Sequence, residues 1–211
     1  MALENATMVK KEHRMNYYQI KRVENDINWS SVNTIELSNK YLNTPNEMRA
    51  FAQICYNDEG INLHLWSEND DVRAVERDIL GAPYQDSCLE FFFSPMENDT
   101  RYFNVEFNFN CCMYLGFGRN LGDHTRLVNN SFSPKASLTK TGWEIFYTIP
   151  YSFILRFFPD FKITKGKRIR ANCFKCADLT TPANYLSWSP ITTEPFSFHK
   201  PECFGVMEFE R

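Results

Sequence analysis

Three polar residues at alternating positions of two sequence segments could bind hydroxyl groups. Glu90 lies in segment 87–94, and Glu106 and Asn108 lie in segment 102–110. The intervening residues of both segments are mostly apolar, which is the period-two pattern of half-buried β-strands. If the two strands pair, their carboxylates and the amide line one outer sheet face and could form charge-assisted hydrogen bonds with hydroxyl groups. The alternative is an ordinary solvated face without a ligand.

The same two carboxylates permit a catalytic interpretation. Glycoside hydrolases use two carboxyl groups at a defined separation, and Glu90 and Glu106 on neighbouring strands could form such a pair. The sequence contains no Gly-x-Ser-x-Gly, no phosphate-binding glycine loop and no dinucleotide fingerprint. A non-sugar interaction module is the third class of function, and its signature would be a groove that is filled or made charge-repulsive by Glu106.

Alternating apolar residues and intervening turn residues predict the elements that position these groups. Strands are predicted at 48–56, 61–66, 87–94, 102–110, 143–149, 169–175 and 206–209. Short helices are expected at 72–77 and 151–157. Many short strands separated by turns are typical of an all-β fold, which we predict to be an antiparallel β-sandwich of immunoglobulin-like or jelly-roll type with short peripheral helices.

Composition and charge exclude several classes of protein. The chain of 211 residues is 43% hydrophobic and 16% aromatic, and we expect one domain over 1–211 with a polar lead-in at 1–15. The net charge is −3 and no basic stripe is present, so no nucleic-acid partner is expected. No apolar stretch approaches the roughly 20 residues that cross a bilayer. Without a signal segment the expected compartment is the cytoplasm, or the extracellular space if a leader has been removed.

Cysteines and acidic clusters offer only weak metal sites. The seven cysteines are expected to be reduced, buried thiols, since Cys173 and Cys176 make only half of a zinc site. The acidic segments 68–71 and 97–99 could supply oxygen ligands to calcium, but neither has a known calcium-loop spacing. Solvated loops are the simpler interpretation of both segments.

Several stretches, in order along the chain, resemble the family 9 carbohydrate-binding modules, especially their stand-alone relatives. The first are Asn28-Trp29, Tyr84-Gln85-Asp86-Ser87-Cys88-Leu89-Glu90-Phe91-Phe92 and Arg101-Tyr102-Phe103-Asn104-Val105-Glu106-Phe107-Asn108. Later ones are Gly142-Trp143-Glu144 through Ile149-Pro150, Tyr185-Leu186-Ser187-Trp188-Ser189-Pro190 and Phe198-His199-Lys200-Pro201-Glu202-Cys203-Phe204-Gly205. The resemblance extends over about residues 25 to 210.

The resemblance implies a β-sandwich that binds a sugar between two aromatic rings, at the reducing end of a chain in the best-known members, with bound calcium in some. By motif position, Tyr84 and Trp188 match the two rings, and Glu90 and Asn108 match polar sugar contacts. Glu106 stands where those members carry a positively charged contact. A carboxylate there reverses the local charge and replaces donors with acceptors, so it weakens the expectation of a reducing-end preference.

Together, the residues and the resemblance predict a protein that binds a mono- or oligosaccharide without transforming it and takes part in carbohydrate catabolism. Glu106 is expected to influence specificity. Arg170, on the polar face of its predicted strand, is a further candidate for sugar contact.

Overall fold

The structure, a computed structural model, describes residues 15–210. The strands are β1 (Tyr17–Arg22), β2 (Thr34–Glu36), β3 (Asn39–Tyr41), β4 (Arg49–Tyr56), β5 (Gly60–Glu68), β6 (Cys88–Ser94), β7 (Tyr102–Asn108), β8 (Met113–Gly118), β9 (Thr125–Arg126), β10 (Lys135–Leu138), β11 (Gly142–Pro150), β12 (Arg168–Ala177), β13 (Asn184–Ser187) and β14 (Gly205–Phe209). The α-helix is α1 (Tyr151–Leu155), and no helix in the described range is long and apolar enough to span a membrane.

The strands form two layers that share β1. The front sheet has the order β1-β14-β12-β6-β7-β8-β9, with β13 also on β12 and β3 on β13. The back sheet contains β10, β11, β5 and β4, with β2 on β4. Residues 17–20 of β1 pair with β14, whereas Lys21 and Arg22 pair with β4, so the strand passes from one sheet to the other. These two pairings are parallel, and all other pairings in the described chain are antiparallel, as predicted.

The core fills the space between the two sheets. Alternate residues of each strand point inward, and Phe107 of β7 packs against Tyr147 of β11 with ring centroids 4.9 Å apart. The other inward side chains include Ile61, Leu63, Leu65, Leu89, Phe91, Phe93, Phe103, Val105, Trp143, Ile145 and Ile149. The predicted β-sandwich is therefore confirmed, and so is the alternation that predicted it.

One of the two expected helices is present. Helix α1 begins at the predicted residue, directly after the proline that ends β11. Segment 72–77 is not helical, so that prediction was wrong. The buried Asp86 carboxylate accepts hydrogen bonds from the backbone N–H groups of Val75 and Glu76, which holds the segment as an extended loop. The competing side-chain acceptor satisfies donors that a helix would otherwise pair.

The outer face of the front sheet is buried rather than solvated. Every residue of β6 and β7 is buried, including the polar ones. The segment that follows β13 folds back over this face, and Phe198 stacks on Phe174 with ring centroids 4.1 Å apart. The result is a second apolar cluster formed by Cys88, Phe92, Tyr102, Phe174, Cys176, Phe198 and Phe204. The alternative of an ordinary solvated face is therefore wrong for this sheet, because the segment between β13 and β14, the return segment, supplies apolar cover.

Phe107→Ala is expected to lower the free energy of unfolding by about 3–5 kcal/mol, because it leaves a cavity where the two sheets meet. Chemical denaturation of both proteins measures the change. Leu138→Ala is the control, since Leu138 is 65% exposed and its truncation should be nearly neutral. Equal losses for the two variants would contradict the position of Phe107 at the centre of the sandwich.

Candidate functional site

A cavity of about 480 Å³ opens on the outer face of the front sheet, beside the second apolar cluster. Glu90, Phe92, Glu106 and Cys176 form its floor, and Tyr84, Tyr114, Tyr185 and Phe196 are its exposed or half-buried aromatic lining. Its volume lies within the range of small-molecule sites. The open cavity also excludes a filled groove at this position.

Two carboxyl groups lie side by side in the floor. Glu90 of β6 and Glu106 of β7 are directly opposite each other in the antiparallel ladder, so their side chains share one face. One oxygen of Glu90 accepts a hydrogen bond from the Cys176 thiol at 2.7 Å. Glu106 Oε1 accepts one from Asn104 Nδ2, also at 2.7 Å. The second Glu106 oxygen, Oε2, is buried and has no partner among the described residues.

Burial and proximity change the ionisation of this pair. Burial raises the pKa of Glu90 to about 8. Burial and the neighbouring Glu90 charge raise the pKa of Glu106 well above its ordinary value. Two adjacent carboxyl groups cannot both ionise freely, because their negative charges repel each other. The pair therefore retains a proton at neutral pH. A protonated carboxyl group can donate a hydrogen bond while its ionised neighbour accepts one, and a hydroxyl group can be bound by both.

Aromatic rings border the carboxyl pair. The rings of Tyr84 and Tyr114 meet edge to face with centroids 6.3 Å apart. Tyr185 meets Phe196 in the same manner at 5.8 Å, and its hydroxyl group donates to Asp178 Oδ1 at 2.9 Å. Tyr84 is 36% exposed and so presents ring surface to a ligand. The cavity thus combines flat apolar surfaces with a polar floor.

Comparison with known proteins identifies the family. The model of carbohydrate-binding family 9 matches residues 16–209. The chain belongs to carbohydrate-binding family 9. No curated protein sequence matches it significantly.

Solved structures show the same fold. A candidate carbohydrate-binding protein from Bacteroides uniformis superposes with a TM-score of 0.75 and 25% identity, over 93% of this chain and 100% of the other. A family 9 module from Caldicellulosiruptor kristjanssonii in complex with glucose gives a TM-score of 0.66 and 12% identity. The match covers 92% of this chain and 96% of the other. A family 9 module from the same organism in complex with cellotriose gives a TM-score of 0.63 and 11% identity. The match covers 92% of this chain and 94% of the other.

Three of the six predicted site residues lie together in this family 9 cavity. Tyr84, Glu90 and Glu106 line it. Trp188 does not: its side chain is 7% exposed and belongs to the core between the sheets. The ring that the resemblance assigned to the site is therefore buried away from this cavity, and the course of the chain at the end of β13 gives the physical reason.

The register shows which face each residue of β13 presents. Tyr185 is paired with Cys176 of β12, a floor residue, so the two side chains share the outer face. Trp188 lies just beyond the end of β13, in a bend, and its ring enters the core between the sheets. The aromatic ring of β13 that lines the cavity is therefore that of Tyr185. The alternation around the buried Leu186 was the signal that could have identified it.

Asn108 and Arg170 also lie outside the cavity. The buried Asn108 amide donates to Glu76 O and Asp86 Oδ2, both at 2.8 Å, and so anchors the loop before β6. The Arg170 guanidinium group donates to the backbone carbonyls of Phe204 and Gly205. Both side chains are occupied by bonds within the protein and hold loops in place, contrary to the sugar contacts expected of them.

Strand β8 carries a glycine that permits the floor to form. A Cβ atom at Gly116 would lie 2.0 Å from Asn104 Oδ1, the residue that holds Glu106. Gly116 lies within the regular strand β8. The absence of a side chain there leaves the space that Asn104 occupies.

One carboxylate in each of the two acidic segments is already engaged by a basic side chain. The buried Asp70 accepts hydrogen bonds from two serine hydroxyl groups and pairs with the buried Lys175 ammonium group at 3.4 Å. Asp99 binds the Arg101 guanidinium group through both carboxylate oxygens. A calcium ion would have to compete with a basic side chain for one carboxylate of each segment.

A different group of potential ligands lies in the floor. The Cys88 and Cys176 sulfur atoms and a Glu90 oxygen lie within 4.8 Å of one another. Burial raises the pKa of both thiols, to about 12 for Cys88. Thiols are soft ligands unsuited to calcium, and the Cys176 thiol serves here as a hydrogen-bond donor to Glu90.

Trp188→Ala is expected to lower the free energy of unfolding by about 3–5 kcal/mol, because the ring fills the core beneath Gly205. Thermal and chemical denaturation measure the loss. Tyr84→Ala, which truncates an exposed ring, serves as the comparison and should change stability little. A Trp188→Ala protein as stable as the parent would contradict the placement of Trp188 in the core.

Proposed function

We propose that this family 9 protein binds a sugar in the cavity above Glu90 and Glu106 and releases it unchanged. The observation that carries the proposal is the arrangement of the cavity, in which two adjacent carboxyl groups form the floor and tyrosine rings form the sides. A pyranose has apolar C–H faces and a rim of hydroxyl groups. The cavity offers a matching surface to each.

The ligand is proposed to be a mono- or oligosaccharide. The structural relatives from Caldicellulosiruptor kristjanssonii are complexes with glucose and with cellotriose, which supports this class. A cavity of about 480 Å³ accommodates the end of a chain rather than a long internal stretch. Glu90 and Glu106 bind hydroxyl groups in this arrangement, while Tyr84 and Tyr185 cover the ring.

The placement of the carboxyl groups supports binding rather than hydrolysis. A glycoside hydrolase needs its two carboxyl groups on either side of the scissile bond. Glu90 and Glu106 rise from adjacent positions of one sheet, so a sugar lying over them meets both groups from the same side. The shared floor suits recognition of hydroxyl groups, and a hydrolase is the less favoured alternative.

Tyr185→Ala and Tyr84→Ala are each expected to weaken sugar binding by at least about tenfold, which corresponds to roughly 1.4 kcal/mol of lost ring contact. Isothermal titration calorimetry with glucose, cellobiose, cellotriose and their end-reduced forms measures the change. Tyr17→Ala is the matched control, because Tyr17 is an exposed tyrosine on β1 outside the cavity. A circular dichroism melt verifies that each variant is folded.

Absence of binding across a wider panel of mono- and oligosaccharides would contradict the proposal. Undiminished affinity in both cavity variants would contradict the placement of the site. Appearance of hydrolysis products during the titration would favour the hydrolase instead.

A further inference from the structure

The ionisable groups that line the cavity are unbalanced in charge. Glu90, Glu106 and Asp178 are acids, and no lysine or arginine among residues 15–210 lines the cavity. His199 is the basic residue in the lining, but burial lowers its pKa to about 4, so its ring is neutral. Its Nδ1 is also occupied, 2.8 Å from the Tyr102 hydroxyl group. The cavity therefore presents acceptors and acidic protons with no basic partner.

The nearest basic side chains of the protein are engaged elsewhere. The Arg126 guanidinium group lies 4.5 Å from the Tyr114 ring centroid, and it donates to the carbonyls of Leu80, Gly81 and Met113. Lys175 is on β12 next to Cys176, but successive residues of a strand point to opposite faces. Its ammonium group accordingly pairs with Asp70 rather than with the floor. Neither side chain satisfies the Glu106 carboxylate.

Glu106 is left with an unused acceptor. Its Oε2 atom is buried and has no hydrogen-bond partner among the described residues, while Oε1 is bound by Asn104. A buried carboxylate oxygen without a donor is costly. A ligand group that brings both donors and positive charge would therefore gain more here than in water.

We propose that the cavity selects sugars that carry a protonated amine, such as 2-amino-2-deoxy sugars, over their neutral counterparts. The inference rests on the proposed sugar-binding function and specifies its ligand class. An ammonium group supplies three donors, which suit Glu106 Oε2 and the free lone pairs of Glu90. The Tyr84 ring, 36% exposed at the cavity, offers a further favourable surface to a cation.

Glu106 is the residue that contributes most to this selectivity. Glu106 offers the ammonium group acceptor oxygens in a water-poor floor, and the ammonium charge takes the place of the proton that the pair retains. Asp178 at the rim adds a second carboxylate, and it orients the Tyr185 ring through the hydroxyl group.

The test is calorimetric titration with matched ligands in buffer containing EDTA, which removes metal ions that could bind the thiols and carboxylates. The pairs are glucosamine against glucose and galactosamine against galactose at a pH where the amine is protonated. N-acetylglucosamine has the same ring and a neutral amide. In at least one pair, the amino sugar should bind at least about tenfold more tightly than its neutral parent. N-acetylglucosamine should not show this gain in affinity over glucose.

The variant Glu106→Gln tests whether Glu106 causes the preference for the amino sugar. It should abolish the preference for the amine, so the amino sugar should lose more affinity than its neutral parent and the ratio of the two affinities should approach one. Glu36→Gln, at an exposed carboxylate of the back sheet, is the matched control and should retain the preference. If Glu106→Gln fails to fold, Asp178→Asn at the exposed rim should reduce the preference measurably.

The outcomes separate this inference from the proposed function. Neutral sugars that bind as tightly as amino sugars would overturn the inference and leave sugar binding intact. An amine preference that persists in Glu106→Gln and in Asp178→Asn would also overturn it. Failure of every sugar to bind, charged or neutral, would overturn the proposed function and the inference with it.

Discussion

The burial of two carboxyl groups directly opposite each other on β6 and β7 is the constraint on which the site depends. Buried charges ordinarily require a partner of opposite sign, but among the described residues the nearby basic groups Lys175 and Arg126 are bound elsewhere and neither forms an ion pair with these carboxyl groups. Instead the Cys176 thiol and the Asn104 amide each supply one donor, and a retained proton reduces the charge. The remaining hydrogen-bonding capacity faces the cavity, where a ligand can use it.

The abundance of aromatic residues explains how a sheet can be buried on both faces. With 19 phenylalanines, the chain fills the space between the sheets and has enough left to cover the outer face of the front sheet. Phe198 and Phe204 of the return segment supply that cover and stop short of Glu90 and Glu106. The same segment therefore builds the second apolar cluster and one wall of the cavity.

Period-two alternation predicted the sandwich and the shared face of Glu90 and Glu106, because both follow from the geometry of single strands and their neighbours. It could not predict that this face is covered, since the return segment reaches it through contacts distant in sequence. The resemblance assigned Trp188 to the site by alignment, but the residue follows the end of β13 in a bend, where its ring enters the core. The Asp70–Lys175 pair joins β12 to a loop about a hundred positions earlier and left no local signal.

The most direct test is a carboxyl-carbon NMR titration of the unliganded protein labelled at glutamate, with Glu90→Gln and Glu106→Gln used for assignment. The account predicts that Glu90 titrates near pH 8 rather than near its ordinary value of 4.5. Because the folded protein then binds more protons than the unfolded chain across that interval, the free energy of unfolding should fall as the pH rises through it. Titration of both carboxyl groups near 4.5, with no such fall, would contradict a buried, proton-sharing pair.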